Sequence, residues 1–134
     1  MNKALFLMSI LIFSAAATAQ TFPTRPVRIL IPFTVGSAAD VIARAMEPAM
    51  REKLGQALVI DNRGGAGGNI AAELTVKSPP DGYTLLMGTI GTQAINYSLY
   101  SKLPYHPLNS FTPVARVGDS RTSSWSIPAY PQNQ

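Results

Sequence analysis

The sequence has no cysteine, a single histidine and a single tryptophan among 134 residues, and charged residues make up only 13%. Without cysteine there is no disulfide, no thiolate metal site and no cysteine nucleophile, so the core must hold by packing alone. The basic residues Arg25, Arg28, Arg44, Arg51, Lys53, Arg63 and Lys77 never form a run and carry no interleaved aromatic stripe. That spread reads as a solvated surface and argues against a nucleic-acid footprint, while a net charge of +4 still favours small anions nearby. No G-x-x-x-x-G-K-[ST] segment exists. The nearest approach to a dinucleotide fingerprint is "GGAGGNI", where Gly65 and Gly67 match G-x-G but Ile70 stands in place of the third glycine. No acidic residue follows at a strand end about twenty positions on, since Asp81 lies in a "PPDG" turn.

Catalytic groups are equally scarce. His106 sits between prolines in "LPYHPLN", and Ser37, Ser78, Ser98 and Ser101 have no histidine or lysine context that would make a nucleophile. Asp40 falls at a helix start, where a carboxylate ordinarily caps free amides. No metal-ligand spacing appears, so neither a metal nor an organic cofactor is expected, and the chain does not read as an enzyme.

What the chain does have is a leader followed by alternating strands and helices. "MNKALFLMSILIFSAAATAQ" carries one early charge at Lys3, an apolar stretch from Ala4 to Phe13 and small residues closing on Ala19. This is the pattern of a secretory signal cleaved after Ala19, and its apolar part is well short of the ~20 residues that span a bilayer. The mature chain then has 10 basic and 7 acidic residues. "VRILIPF" predicts a buried strand from Val27 to about Phe33, and "ADVIARAMEPAMREKLG" predicts a helix ending at Gly55, kinked or weakened by Pro48. "ALVID", a glycine turn, a helix from Asn69 to about Lys77, the strand "YTLLMG" and a short helix or turn through "QAINYSLY" continue the alternation. Strand and helix in this rhythm mean an α/β fold with a parallel sheet and right-handed crossovers. Ligands of such sheets bind past the carboxyl ends of the strands, here "PFTVGSAAD", "IDNRGGAGGN" and "LLMGTIGTQ".

Four blocks in order, "FPTRPVRILIPFTVGSAADVIAR", "LGQALVIDNRGGAGGNIAAE", "SPPDGYTLLMGTIGTQAIN" and "LYSKLPYHPLNSFTPVA", resemble the N-terminal portion of the tripartite tricarboxylate transporter substrate-binding receptors, the TctC or Bug family. The resemblance runs from about Phe22 to Val114. It implies a periplasmic-binding-protein-like lobe, a parallel sheet with flanking helices, that captures a carboxylated small molecule for membrane permease subunits in the periplasm. It also implies ligand contacts at Phe33, Gly36, Ser37 and Asp40 in the first loop and at Gly88, Thr89, Thr92 and Gln93 in the third. The glycine loop from Gly64 to Asn69 becomes a wall and turn beside the cleft. Ser37 stands where the family usually has a second glycine, Ala39 where a small hydroxyl residue is common, and Gln93 where histidine is usual.

The expected organisation is a signal peptide at 1–19, a partial receptor lobe at 20–118, and a tail at 119–134 outside the family pattern, read as coil from a shifted reading frame. The chain stops well short of such receptors, so the second lobe is expected to be absent and binding impaired. Two other readings stay open at this point: a small exported interaction or structural domain, and a nucleotide-binding α/β enzyme domain.

Overall fold

The computed structural model describes residues 22–118, so the expected signal peptide and the expected tail both lie outside the described residues. Three strands, β1 (Val27–Ile31), β2 (Leu58–Asn62) and β3 (Thr84–Leu86), pair in parallel in the order β2-β1-β3. Between β1 and β2 runs α1 (Ala38–Leu54), and between β2 and β3 runs α2 (Asn69–Val76), preceded by a 3-10 turn (Ala66–Gly68). After β3 a π-helical turn (Gly91–Ile95) leads into the single-turn α3 (Asn96–Leu99).

The two crossovers travel in opposite directions across the sheet, one from β1 to β2 and the other from β2 past β1 to β3. With both right-handed, their helices must lie on opposite faces. The burial pattern agrees. Val27, Ile29 and Ile31 point one way and pack with Leu58 and with Ala39 and Ala43 of α1. Leu30 points the other way and is fully buried on the side of α2, where Ala71 and Ala72 are also fully buried. A central strand covered on both faces explains the nearly unbroken apolar run in "VRILI". Its exception, Arg28, pairs with Asp61 of β2. Arg28 lies opposite Val59 in the register, so Asp61 two residues on shares its face. Arg63 binds the other oxygen of Asp61 at 2.9 Å. These bonds, with that from Arg28 foremost, hold the Asp61 carboxyl below its ordinary range.

One detail differs from expectation. Asp40 is not the helix cap. Ser37 occupies that position in extended conformation, its hydroxyl accepting from the Asp40 amide at 3.3 Å, because it immediately precedes the first helical residue. Pro48 lies inside α1, which runs through it to a left-handed Gly55 whose amide closes on the Arg51 carbonyl, as the sequence places the stop. Both Pro48 and Arg44, whose carbonyl loses its partner, are exposed, so water can take the freed acceptor.

Candidate functional site

Strand order reverses between β1 and β3, since β1 is followed by a helix on one face and the chain reaches β3 over the other. The region past the carboxyl ends of those two strands is a topological switch point, the place where open parallel sheets form their ligand crevice. The chain leaves the two strands side by side, with the Met87 amide donating to the Leu30 carbonyl at 2.9 Å.

The first side of the crevice is the loop from Pro32 to Ser37 and the start of α1. Asp40 is buried, and its carboxylate accepts from the Gly36 amide at 2.9 Å and from Arg44 Nε at 3.0 Å. The bond from Arg44, followed by that from Gly36, lowers its pKa to about 2. Gly36 has φ 83, a left-handed backbone that glycine adopts without strain, so the amide can turn back on the carboxylate. Ser37 Oγ and Asp40 thus close the loop onto the helix from both ends, while Ala38 and Ala39 in the first turn have no intrahelical acceptor for their amides. Asn62, at the end of β2, donates to the Phe33 carbonyl at 3.1 Å and accepts from Arg44 at 3.4 Å, so it steadies the same loop from below.

The second side is the loop from Met87 into the π-helical turn. The Thr89 amide donates to Thr92 Oγ1 at 3.0 Å, and that hydroxyl donates back to the Thr89 carbonyl at 3.2 Å. Thr92 is fully buried. The Gln93 side chain lies against Gly88, where a Cβ would stand 3.1 Å from Gln93 Cγ.

The glycine loop crosses the end of β1 on its way from β2 to α2. Gly68 is the tight point: at φ 92, a Cβ would come within 2.7 Å of Thr92 Cγ2 and 2.9 Å of Pro32 Cβ. Its backbone therefore wedges directly between the first and third loops. Asn69, the first residue of α2, is buried and accepts from Asn96 Nδ2 at 2.6 Å and from the Tyr105 hydroxyl at 3.0 Å. Asn96 also donates to the Gly67 carbonyl, and Tyr105 to the Thr92 carbonyl at 2.8 Å. Burial pushes the Tyr105 phenol above its ordinary pKa.

A family model described as "Tripartite tricarboxylate transporter family receptor" matches residues 42–134, a range that takes in 119–134. BugT of Bordetella pertussis is 41% identical over 107 residues, 79% of this chain and 33% of BugT. The chain belongs to the tripartite tricarboxylate transporter receptor family. Among solved receptors, MatC from Rhodopseudomonas palustris with bound malate superposes with a TM-score of 0.67 at 42% identity, covering 69% of this chain and 32% of MatC. An R. palustris protein with adipate gives a TM-score of 0.62 at 45% identity, covering 64% and 29%. This chain therefore spans about a third of the length of the receptors it matches, with the sheet and helices of a single lobe.

For this receptor chain the eight residues named from the resemblance fall into two groups, Phe33, Gly36, Ser37 and Asp40 on one side of the crevice and Gly88, Thr89, Thr92 and Gln93 on the other. Phe33 is exposed; Asp40 and Thr92 are buried and engaged within their own loops. His106, set aside in the sequence, orders its own turn, Nδ1 accepting from the amides of Leu108 and Asn109. Asn69, Asn96 and Tyr105 were not singled out in the sequence. The one available signal was an asparagine at each helix start, after "GG" and after "AI".

Proposed function

We propose that this chain is the carboxylate-capturing part of a periplasmic solute-binding receptor, and that the crevice between the ends of β1 and β3 takes a carboxylate group of a small di- or tricarboxylic acid. The observation that carries the reading is the switch point in the strand order, flanked by two helical starts, in a chain whose solved relatives hold malate and adipate. The first-turn amides of α1 and the amides entering the π-helical turn supply the positive ends of peptide dipoles, so no buried lysine is needed to hold the anion. Gly36 and Gly88 allow close approach of the solute, Phe33 and Gln93 border it, and the Ser37 and Thr89 hydroxyls lie within the loops that meet it. Asp40 and Thr92 act from beneath, keeping the first and third loops in shape. Because Arg44 neutralises Asp40, the carboxylate in the first loop does not repel the incoming anion.

In this reading the chain is exported by its N-terminal signal, transfers solute to membrane permease subunits, and performs no catalysis. Among the described residues no helix is long and apolar enough to cross a membrane, and none group as three or more metal-binding side chains. The reading is tested by thermal unfolding and isothermal titration of the chain against malate, adipate, citrate, ATP and NAD. A rise in the unfolding midpoint with a dicarboxylate and none with nucleotides is expected, about 2.7 kcal/mol of stabilisation at a hundredfold excess over Kd. Cooperative unfolding that no carboxylate moves would overturn it. A rise with ATP or NAD alone would replace it with a nucleotide-binding domain.

A further inference from the structure

We propose that Tyr105 is a positioning residue for the third loop, acting with Asn69 and Asn96 to hold that loop at a set distance from the glycine crossing. The inference rests on the crevice reading above but names residues outside it. Tyr105 lies beyond α3, 13 residues on from Thr92 and 36 from Asn69. It returns to the crevice from outside the sheet. Its hydroxyl has one proton for two acceptors, the Thr92 carbonyl at 2.8 Å and Asn69 Oδ1 at 3.0 Å. Asn96 spends both of its amide hydrogens on the same cluster, one on Gly67 O at 2.9 Å and one on Asn69 Oδ1 at 2.6 Å. All of these side chains are buried, and no buried side-chain polar atom among the described residues lacks a partner.

The cluster therefore ties together the glycine crossing, the first residue of α2, the third loop and the start of α3. Apolar packing would tolerate sliding among these segments, whereas buried hydrogen bonds have directions and short ranges. Thr92 is where the two arrangements meet. Its hydroxyl folds the third loop on Thr89, and its carbonyl is held from behind by Tyr105. Releasing that carbonyl frees the loop to shift against Gly68 without unfolding the sheet. The segment after α3 is thus a latch on the ligand loops.

The test is Tyr105→Phe, which keeps the ring and its edge contact with Phe111 at 5.5 Å and removes only the hydroxyl. The control is Tyr83→Phe, which removes a hydroxyl that bonds Thr24, in the turn preceding β3. Amide hydrogen exchange is followed by peptide in both variants, together with affinity for malate and adipate. In Tyr105→Phe, exchange across 64–68 and 88–93 is expected to rise about tenfold, with β1 unchanged and dicarboxylate binding about tenfold weaker. Tyr83→Phe leaves those two segments and the affinity as they were. Exchange in Tyr105→Phe that rises equally in β1, or in neither loop, overturns the proposal and leaves Tyr105 as ordinary core. So does local loosening with unchanged affinity. If the unmodified chain binds no carboxylate, the crevice reading falls while the exchange pattern still decides the latch. Should Tyr105→Phe fail to fold, Asn96→Ala cuts the cluster at Gly67 and must give the same exchange pattern.

Discussion

The first loop of the crevice is held by charge and the third by neutral groups. On the α1 side, a buried Asp40 carboxylate gathers the Gly36 amide and the Arg44 guanidinium, and Ser37 caps the helix. On the β3 side, Thr89 and Thr92 exchange hydrogen bonds and Tyr105 braces the Thr92 carbonyl. Both solutions fold a short loop tightly onto a helical start, and both leave first-turn amides without an intrahelical acceptor. They differ in what can undo them. The first loop depends on an ionised group, so it has an acid limit; the third has no titrating group near neutrality. The lesson is that one crevice can be presented by two kinds of bonding that fail under different conditions.

The largest expected effect comes from forcing the two sides apart. Gly68→Ala places a methyl in the gap between Pro32 and Thr92 in a backbone conformation that alanine resists, and should cost about 3 kcal/mol by urea unfolding. A loss below about 1 kcal/mol would mean that the wedge is loose.

Of the two sides, acid should act on the first. Asp40 has a folded pKa of about 2 against an ordinary 3.8, so its contribution is complete above the ordinary value and disappears as pH falls toward about 2. Asp61 is lowered too and has the same sign. The urea midpoint followed from pH 6 to pH 2 should therefore fall, and Asp40→Asn should flatten the curve while leaving a residual slope from Asp61. A variant as steep as the parent would show that the first loop does not rely on this charge.

On the neutral side, Thr92→Val keeps the shape and removes both hydroxyl bonds, with an expected loss of about 1.5 kcal/mol that stays constant across the same pH range. A pH-dependent loss would erase the contrast. Ser37→Ala should cost about 1 kcal/mol through the lost helix cap. Lys77→Ala, remote from both loops, removes an exposed i,i+4 pair with Glu73 and should cost at most about 0.5 kcal/mol.

How much of this was legible in the sequence depends on the range of the forces involved. β1, α1 and α2 followed from hydrophobic spacing and from Gly55 as a stop, because those signals act within a few residues. The cap was placed three residues late, at Asp40 instead of Ser37, since both are residue types that cap helices and the sequence alone does not say which directly precedes the first turn. The two groups of candidate ligand residues were found from family-like blocks, but nothing in those blocks said that Asp40 and Thr92 would be buried and occupied.

By itself the sequence determined the alternation of strands and helices, the parallel sheet, the absence of thiol chemistry and the identity of the loops that end the strands. Local periodicity and composition carry that information without reference to the rest of the chain. Only the tertiary structure decided that β1 is central, that the strand order reverses beside β3, and that Gly68 must pass between Pro32 and Thr92. Only there do Asn69, Asn96 and Tyr105 meet, because the bonds that join them link residues far apart in the chain, and their geometry exists only once three separate segments have converged on one buried point.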